Sequence, residues 1–299
     1  MTVATKSVGV IGVGNMGAGI ARNIARKGFA VAAWDALPAA RERIAGEAGI
    51  TVTPPAAMAA RCSAILFVVP SSKEIADCFD GAEGVLANAA PGLLLCDLTT
   101  ADPKDTRKLG ERAAARGVAY IDAAMSGGAT GADAGTLTLM VGGDPAQLAT
   151  VRPVFDTFAR NVFHLGPLGA GHTMKLVHNM VTHTIFFTTC EGARVAASAG
   201  ISLADMIEVF NVSNARSYAS EVRFPRHILS ETWDARSRVY NLHKDLKMAV
   251  GMAGDHDVPV GFGAHSLALL EQAMAAGLAD TDYSRLYEVY DRLAAAAED

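Results

Sequence analysis

A glycine-rich turn near the start of the chain constrains its fold more than any other feature. The turn Gly12-Val13-Gly14-Asn15-Met16-Gly17 follows a short apolar strand, residues 7–11, and leads into a helical pattern. A second apolar run then ends on Asp35. Strand, glycine turn, helix, strand and terminal acid in this order are typical of a Rossmann dinucleotide-binding unit. The sequence therefore predicts a dinucleotide site in the first part of the chain.

The residues of this turn have separate physical roles. Gly12 permits the tight turn, Gly14 lets the backbone approach a pyrophosphate, and Gly17 lets the helix pack close to the sheet. The helix N-terminus offers N–H groups and the positive end of a dipole to the phosphates. Asp35 is placed to accept a hydrogen bond from a ribose 2′-hydroxyl, so we expect NAD to be preferred over NADP. We assign cofactor contacts to Asp35 and to all six residues of the turn, which are Gly12, Val13, Gly14, Asn15, Met16 and Gly17.

Strand-like and helical segments alternate up to about residue 165, and the chain is helical in pattern beyond it. This alternation predicts an α/β fold with a doubly wound, mostly parallel sheet. The predicted strands are residues 7–11, 30–34, 64–69, 93–97, 118–121 and 137–142. A cluster of helix-breaking residues at 166–171 predicts a domain boundary. We expect a Rossmann domain over residues 1–166 and an all-α substrate and dimerisation domain over residues 167–299, which begins with a long helix and closes over the nucleotide.

Composition excludes several classes of protein. The chain is 51% hydrophobic and 19% charged, which is typical of a globular protein and not of a disordered one. A net charge of −5 provides no basic face for nucleic acid. No apolar run is long enough to span a membrane and no cleavable signal is visible, so we expect a cytoplasmic protein without a membrane partner. The four cysteines lack metal-ligand spacing, and we expect free thiols and no metal.

Ligands of open α/β sheets bind beyond the carboxyl ends of the strands. Pro70 follows one predicted strand, and Thr99 and Thr100 follow another, so we expect these residues to contact the cofactor. Capping of the next helix is an equally weighted role for a threonine or aspartate at this position. The two roles can coexist.

Two further groups indicate an acidic substrate. Ser126, Gly127 and Gly128 combine a hydroxyl with poorly covered N–H groups, which can hold a carboxylate; a flexible glycine loop is the equal alternative. Lys175 and Asn179 share one face of the long helix. A lysine at an apolar helix start has lost part of its hydration, which lowers its pKa toward neutrality and makes it a usable general acid/base. Asn179 can orient the substrate hydroxyl. Alone, such a pair is more often a solvated helix face.

Together these motifs resemble the β-hydroxyacid dehydrogenase family. The matching residues lie in order along essentially the whole chain and are Gly12-x-Gly14-x-Met16-Gly17, Asp35, Asp122 to Gly128, Gly135 to Gly143, Gly169-x-Gly171-x-x-x-Lys175-x-x-x-Asn179 and Lys244-Asp245-Leu246. The resemblance implies an NAD-dependent oxidoreductase that transfers hydride to or from a small 3-hydroxy acid or its semialdehyde. It implies Lys175 as the acid/base, Asn179 as an anchor, a dinucleotide contact by Lys244, and support of the substrate site by Asp245. It also implies a homodimer or homotetramer.

The chain departs from the family pattern at several positions. Ala124 stands where the family usually has a proline, and His178-Asn179 replaces the common Asn-Asn pair. A Lys-x-x-His-Asn string also resembles 6-phosphogluconate dehydrogenase, but that enzyme uses a glutamate where this chain has Thr182. Oxidative decarboxylation is therefore the second hypothesis. Imine reduction is disfavoured because imine reductases lack the lysine, and a catalytically silent binding module is disfavoured because Lys175 is intact.

A final prediction concerns the far end of the substrate. Arg216 and Arg223 are seven residues apart, so both can lie on one helix face. An arginine there can bind a second anionic group through a two-pronged hydrogen bond, and His178 can add a donor. The substrate would then be polar or doubly anionic. Solvent-exposed arginines at a subunit surface are the favoured alternative.

Overall fold

An eight-stranded sheet forms the first part of the chain in the computed structural model, which describes residues 7–298. The strands are β1 Val8–Ile11, β2 Val31–Trp34, β3 Ile50–Val52, β4 Ala64–Phe67, β5 Leu94–Asp97, β6 Ala119–Ser126, β7 Leu137–Gly142 and β8 Ala159–Gly166. They lie in the order β3-β2-β1-β4-β5-β6-β7-β8, and only β6 and β7 run antiparallel. The predicted α/β fold with a mostly parallel sheet is confirmed.

The crossover helices cover both faces of this sheet. They are α1 Gly17–Arg26, α2 Pro38–Ile44, α3 Pro55–Arg61, α4 Ser72–Phe79, α5 Pro103–Ala114, α6 Gly128–Ala134 and α7 Pro145–Phe155. One core cluster includes Ile20 and Phe155, and a second includes Phe67 and Leu109. Because both faces are covered, β1, β4 and β5 are buried along their whole length.

The chain reverses its direction across the sheet between β1 and β4. In register, Ile11 of β1 lies beside Trp34 of β2 on one side and Phe67 of β4 on the other. In doubly wound sheets, this switch point leaves a crevice at the carboxyl ends of the strands, where ligands bind. The glycine turn after β1 therefore lies where the fold provides a ligand site.

The second part of the chain is helical, as predicted. Its helices are α8 Ala170–Ser198, α9 Leu203–Asn211, a π-helical segment Ala219–Leu229, α10 Val239–Asp255, α11 Gly261–Ala275, a 3-10 turn Tyr283–Arg285 and α12 Leu286–Glu298. A separate core packs around Phe186, Phe224 and Tyr283. Beyond residue 166, the part of the chain that the structure describes contains no strand, only an isolated bridge between Arg238 and Asp282.

Packing divides the chain into two units, which meet between Lys175 and Leu176 inside α8. This division lies beyond the predicted boundary at residue 166, because α8 begins in the first unit and continues into the second. The boundary at residue 166 stays a prediction. Within residues 7–298, no helix combines the length and the apolar character needed to cross a membrane.

Candidate functional site

The glycine turn between β1 and α1 leaves open space beside its backbone. Gly12 has φ +92°, and a side chain here would collide with the carbonyl oxygen of Val68. A Cβ at Gly17 would collide with the carbonyl oxygen of Gly12, whereas a Cβ at Gly14 would meet no atom within 4 Å. Packing therefore requires Gly12 and Gly17 but does not require Gly14. The space at Gly14, beside a helix start that has no side-chain cap, fits a pyrophosphate.

Asp35 is bound to this turn through its carboxylate. The Val13 N–H donates to Oδ2 at 2.9 Å, and the Leu37 N–H donates to Oδ1 at 2.9 Å. Arg41 Nη1 donates to the Asp35 carbonyl oxygen at 2.6 Å, and its guanidinium lies 4.4 Å from the centre of the Trp34 ring. The carboxylate is thus held beside the glycine turn, and the nearby arginine is already engaged by backbone and an aromatic ring.

Thr99 belongs to a buried polar network at the end of β5. Its N–H and its hydroxyl donate to Asp97 Oδ1 at 3.0 and 2.6 Å, and the Tyr120 hydroxyl donates to Asp97 Oδ2 at 2.8 Å. Burial and the Asp97 carboxylate raise the pKa of Tyr120 well above its usual value, so this phenol remains a donor. Thr99 is therefore committed to the network, while its neighbour Thr100 is only half-buried.

Helix capping does not account for these threonines. The residue that caps α5 is Asp102, whose carboxylate accepts from the Lys104 N–H at 2.8 Å. At the other strand end, Pro70 is exposed, and Ser71 caps α4 by accepting from the Lys73 N–H at 3.2 Å. Pro70 and Thr100 thus each follow the end of a strand by three residues, and their contacts with a cofactor stay predictions.

His172, in the first turn of α8, lies beside the Asp97 network, and sequence analysis did not identify it. The side chain is fully buried. Its Nδ1 lies 2.6 Å from Thr106 Oγ1, and its Nε2 lies 3.7 Å from Asp97 Oδ1. The contact with Thr106 therefore connects α5 to the helix that bears Lys175.

Asp122 fixes the start of α8. It is fully buried in β6, where its Oδ1 accepts from the Gly169 N–H at 2.6 Å and its Oδ2 accepts from the His172 N–H at 2.8 Å. These N–H groups belong to the first turn of the helix, which lacks partners inside the helix itself. Lys175, three residues after His172, is half-buried and is positioned by this anchored turn.

Ser126, Gly127 and Gly128 form a defined turn between β6 and α6. Gly127 and Gly128 have φ values of +126° and +61°, which favour glycine over any residue with a side chain. No side chain caps α6, so its first N–H groups can face a ligand. The Asn23 side chain on α1 donates to the Ala132 carbonyl oxygen on α6 at 2.7 Å. This bond holds the Ser126 turn to the helix that follows the glycine turn.

A row of polar side chains in the second unit holds Asn179 in place. Asn179 is 6% exposed, and its Nδ2 donates to Asp245 Oδ2 on α10 at 2.7 Å. His178 Nδ1 lies 2.9 Å from Asn179 Oδ1, and because a carbonyl oxygen can only accept, Nδ1 must carry the proton. Lys244 Nζ lies 3.4 Å from Asp245 Oδ1. The amide of Asn179 is therefore fixed at both ends and retains one N–H for a ligand.

The structure separates the two arginines that were expected on one helix face. The π-helical segment begins at Ala219, so Arg216 precedes it. The Arg216 side chain is 65% exposed, and its Nε lies 3.6 Å from Glu221 Oε1. Arg223 lies within the segment and is half-buried. The shared face was a wrong prediction because the helix starts later than the pattern indicated.

Comparison with known proteins finds similarity along both units. The family model described as the NAD binding domain of 6-phosphogluconate dehydrogenase matches residues 7–166. The model described as NAD-binding of NADP-dependent 3-hydroxyisobutyrate dehydrogenase matches residues 169–290.

Individual relatives are also similar to this chain over nearly its whole length. The chain is 31% identical to NAD-dependent L-serine dehydrogenase of Pseudomonas aeruginosa, with 96% of this chain and 98% of that protein covered. It is 29% identical to 2-(hydroxymethyl)glutarate dehydrogenase of Eubacterium barkeri, with 96% and 95% covered. The structure of Mycobacterium tuberculosis 3-hydroxyisobutyrate dehydrogenase with L-serine has a TM-score of 0.87 and 26% identity, and 96% of this chain and 99% of that chain are covered.

Proposed function

The chain belongs to the β-hydroxyacid dehydrogenase family, and from this premise we propose which of its residues carry out the reaction. The protein is a dehydrogenase that transfers hydride between a nicotinamide cofactor and a small 3-hydroxy acid or its semialdehyde. Two of its relatives are named as dehydrogenases of L-serine and of 2-(hydroxymethyl)glutarate, which are both 3-hydroxy acids. The residue roles below follow from the site geometry together with the family resemblance.

We propose that the cofactor is NAD. The glycine turn from Gly12 to Gly17 holds the pyrophosphate, and the open space at Gly14 supports this assignment. Asp35 accepts from the ribose 2′-hydroxyl and repels a 2′-phosphate. Pro70, Thr99, Thr100 and Lys244 contribute further contacts, and the half-buried Thr100 is better supported than the fully engaged Thr99.

The substrate is held before any bond changes. The Ser126 hydroxyl and the N–H groups of Gly127 and Gly128 bind its carboxylate. Asn179 donates its remaining amide hydrogen to the substrate hydroxyl oxygen, and its orientation is maintained by His178 and Asp245. Such positioning lowers the activation free energy, because the entropy of bringing the reacting groups together has already been lost when the substrate binds.

Lys175 acts as the general acid/base of the reaction. A nicotinamide bound beside the glycine turn would supply the acceptor for the hydride of the carbinol carbon. As the carbon–hydrogen bond breaks, the neutral Nζ of Lys175 accepts the hydroxyl proton, so that the hydroxyl oxygen becomes a carbonyl oxygen. In the reverse direction, the Lys175 ammonium returns the proton to that oxygen. The carboxylate stays on the Ser126 turn throughout.

One observation carries this proposal. Lys175 and Asn179 lie one turn apart on a helix whose start is fixed by Asp122 and whose Asn179 is fixed by Asp245. A lysine on a merely solvated helix face needs no such support from buried carboxylates on both sides.

Replacement of Lys175 tests the proposed chemistry. Lys175→Ala is expected to lower kcat by about 100- to 10,000-fold, the usual contribution of a positioned acid/base, while the Kd for NADH stays within about twofold. The exposed Lys247 provides the matched control, and Lys247→Ala should retain full turnover. The assay follows NAD reduction with L-serine and 3-hydroxyisobutyrate. A Lys175→Ala enzyme with more than about a tenth of wild-type turnover would refute the role.

We also propose that the protein is a homodimer or homotetramer. The helix α8 exposes a row of apolar side chains, Val177, Val181, Ile185 and Val195, whose exposed fractions run from 36% to 67%. Burial of such a row against a second copy would remove apolar surface from water. Light scattering after size exclusion measures the state directly. A cytoplasmic location remains a prediction.

A further inference from the structure

His172 is a fully buried residue with one ring nitrogen in contact and the other without a hydrogen bond. Its Nδ1 lies 2.6 Å from Oγ1 of Thr106, which is also fully buried. Its Nε2 is enclosed, and within residues 7–298 no group forms a hydrogen bond with it, since the Asp97 carboxylate is 3.7 Å away. Burial of a polar atom without a partner costs free energy, so this imidazole indicates a role beyond packing.

The backbone around His172 is held by a single carboxylate. The Gly169 N–H and the His172 N–H donate to the two oxygens of Asp122, at 2.6 and 2.8 Å. Gly171 lies so close to β7 that a Cβ there would collide with the Met140 carbonyl oxygen. Two hydrogen bonds to one side chain fix where the first turn of α8 lies. Rotation of that turn about the helix axis is fixed only when a second element also holds it.

The His172 side chain provides a contact with such a second element. Thr106 belongs to α5, whereas Asp122 belongs to β6. The Thr106 hydroxyl also donates to the Asp102 carbonyl oxygen at the start of α5, at 3.1 Å. Because the hydroxyl is tied to its own helix, its contact with Nδ1 relates the rotation of α8 to the position of α5.

Lys175 follows His172 by three residues, and both belong to the first unit. Residues at this spacing are neighbours on the same side of a helix, with Cβ atoms about 5–6 Å apart. A rotation of the turn moves the end of a long side chain further than it moves the helix backbone. An error of about 1 Å in the position of a catalytic group can lower a rate about 100-fold.

The same turn lies beside residues that we propose to contact the cofactor. Asp97 and Asp122 are partners in the register of β5 and β6. Asp97 accepts from the N–H and the hydroxyl of Thr99, at 3.0 and 2.6 Å, and Thr100 follows directly. The rotation of the first turn of α8 therefore sets the direction of Lys175 relative to the carboxyl end of β5.

We propose that His172 is a positioning residue for Lys175. Its contact with Thr106 fixes the rotation of the first turn of α8, and with it the direction in which the Lys175 side chain leaves the helix. The inference rests on the proposed function, in which Lys175 Nζ accepts and returns the hydroxyl proton. Because His172 is fully buried, it touches neither substrate nor cofactor, and its loss slows turnover without weakening the binding of either.

Two polar replacements of His172 test the contact with Thr106. Asparagine carries its amide group near the position of Nδ1 and keeps a partner for Thr106, whereas glutamine carries it near the position of Nε2 and does not. We expect His172→Gln to lower kcat by about 10- to 100-fold and His172→Asn to lower it by less than about threefold. In both variants, KM for L-serine and the Kd for NADH should stay within about twofold of wild type.

Replacement of Thr106 tests the other side of the contact. Thr106→Val removes the hydroxyl and should lower kcat as much as His172→Gln does. The double variant should lose no more, because both changes remove the same interaction. The matched control is Thr157, a buried threonine of the first unit whose hydroxyl donates to the Val154 carbonyl oxygen at 2.7 Å. Thr157→Val should retain the wild-type kcat, whatever its effect on Tm.

Hydrogen exchange measures the seating of the turn without turnover. Backbone N–H groups of residues 170–176 should exchange about tenfold faster in His172→Gln and in Thr106→Val than in the wild type. The same groups should keep their wild-type rates in Thr157→Val.

Several results would overturn the assignment of His172. They are equal kcat values for His172→Asn and His172→Gln, additive losses in the double variant, kcat losses that follow Tm across all variants, or exchange rates that no variant changes. Failure of the proposed function has a different signature. Lys175→Ala would then keep its turnover, while exchange at the start of α8 would still respond to replacement of His172.

Discussion

Asp35 and Asp122 are both carboxylates of the first unit, but the protein uses them differently. Asp122 is fully buried, and its two carboxylate oxygens accept hydrogen bonds from backbone N–H groups at the start of α8. Asp35 is half-buried, and although its oxygens accept from the Val13 and Leu37 N–H groups, each oxygen can accept a further hydrogen bond. Of the two, Asp35 is therefore the carboxylate that can serve a ligand.

This difference leads to a prediction for cofactor choice. In Asp35→Ser, the repulsion of a 2′-phosphate is lost together with an acceptor for the 2′-hydroxyl. We expect the ratio of kcat/KM for NAD to that for NADP to fall by about tenfold or more, which corresponds to about 1.4 kcal/mol. Initial rates with each cofactor at a fixed hydroxy acid concentration give the ratio. A wild-type enzyme that prefers NADP, or a ratio that Asp35→Ser leaves unchanged, would show that Asp35 does not select the cofactor.

Sequence could predict the residues of the glycine turn because their roles depend on neighbours in the chain. It could not predict the contact of His172 with Thr106 or its approach to Asp97, since these residues are distant in sequence and come together only after α8 packs on the first unit. One signal was present in the glycines around Asp122. A Cβ at Gly142 would lie 2.5 Å from Asp122 Oδ1, and one at Gly171 would lie 2.7 Å from Asp122 Oδ2. Such glycines mark a close approach of buried groups.

At the scale of elements, α8 links the two units by a continuous helix. Its first turn is anchored to β6 through Asp122, and its middle packs against the second core through Phe186. The helix begins at Ala170, and the sequence pattern does not show that Gly171 and His172 belong to its first turn. The accuracy with which Lys175 is placed depends on that turn.

Two glycines of α8 provide a matched test of this anchor. A Cβ at Gly171 would collide with the Met140 carbonyl oxygen, whereas a Cβ at Gly192 would meet no atom within 4 Å. Gly171→Ala should therefore lower the free energy of unfolding by about 1–3 kcal/mol, and Gly192→Ala should raise it by about 0.5–1 kcal/mol. Urea denaturation followed by circular dichroism measures both. Equal effects of the two substitutions would show that α8 is not tightly seated on β6 and β7.

Strand prediction succeeded where strands are buried and failed where they are not. The strands β1, β4 and β5 are buried throughout and were predicted within two residues. The sequence did not indicate β3, which has three residues, or β8, whose residues are mostly exposed. It also did not reveal the antiparallel pairing of β6 and β7, which extends β6 to Ser126. The extension of β6 depends on its pairing with β7, and the local sequence of β6 does not indicate that pairing.

At the scale of the whole molecule, each unit has its own core and contains some of the proposed site residues. The first unit contains the glycine turn, Asp35 and the Ser126 turn, and the second contains Asn179 and Asp245. The order of motifs along the chain was sufficient to indicate the family and the class of reaction. The identity of the substrate was not predictable, because the side chains that surround a bound substrate come from segments that are distant in sequence.

The central claim is that the enzyme moves a hydride directly from the carbinol carbon of a 3-hydroxy acid to the nicotinamide. The most direct measurement uses L-serine or 3-hydroxyisobutyrate deuterated at that carbon, with NAD in a single turnover and mass spectrometry of the reduced cofactor. We predict one deuterium per reduced nicotinamide with the wild-type enzyme, and none formed on this timescale with Lys175→Ala. Reduced cofactor that contains no deuterium, or no reduction with any 3-hydroxy acid, would contradict the account.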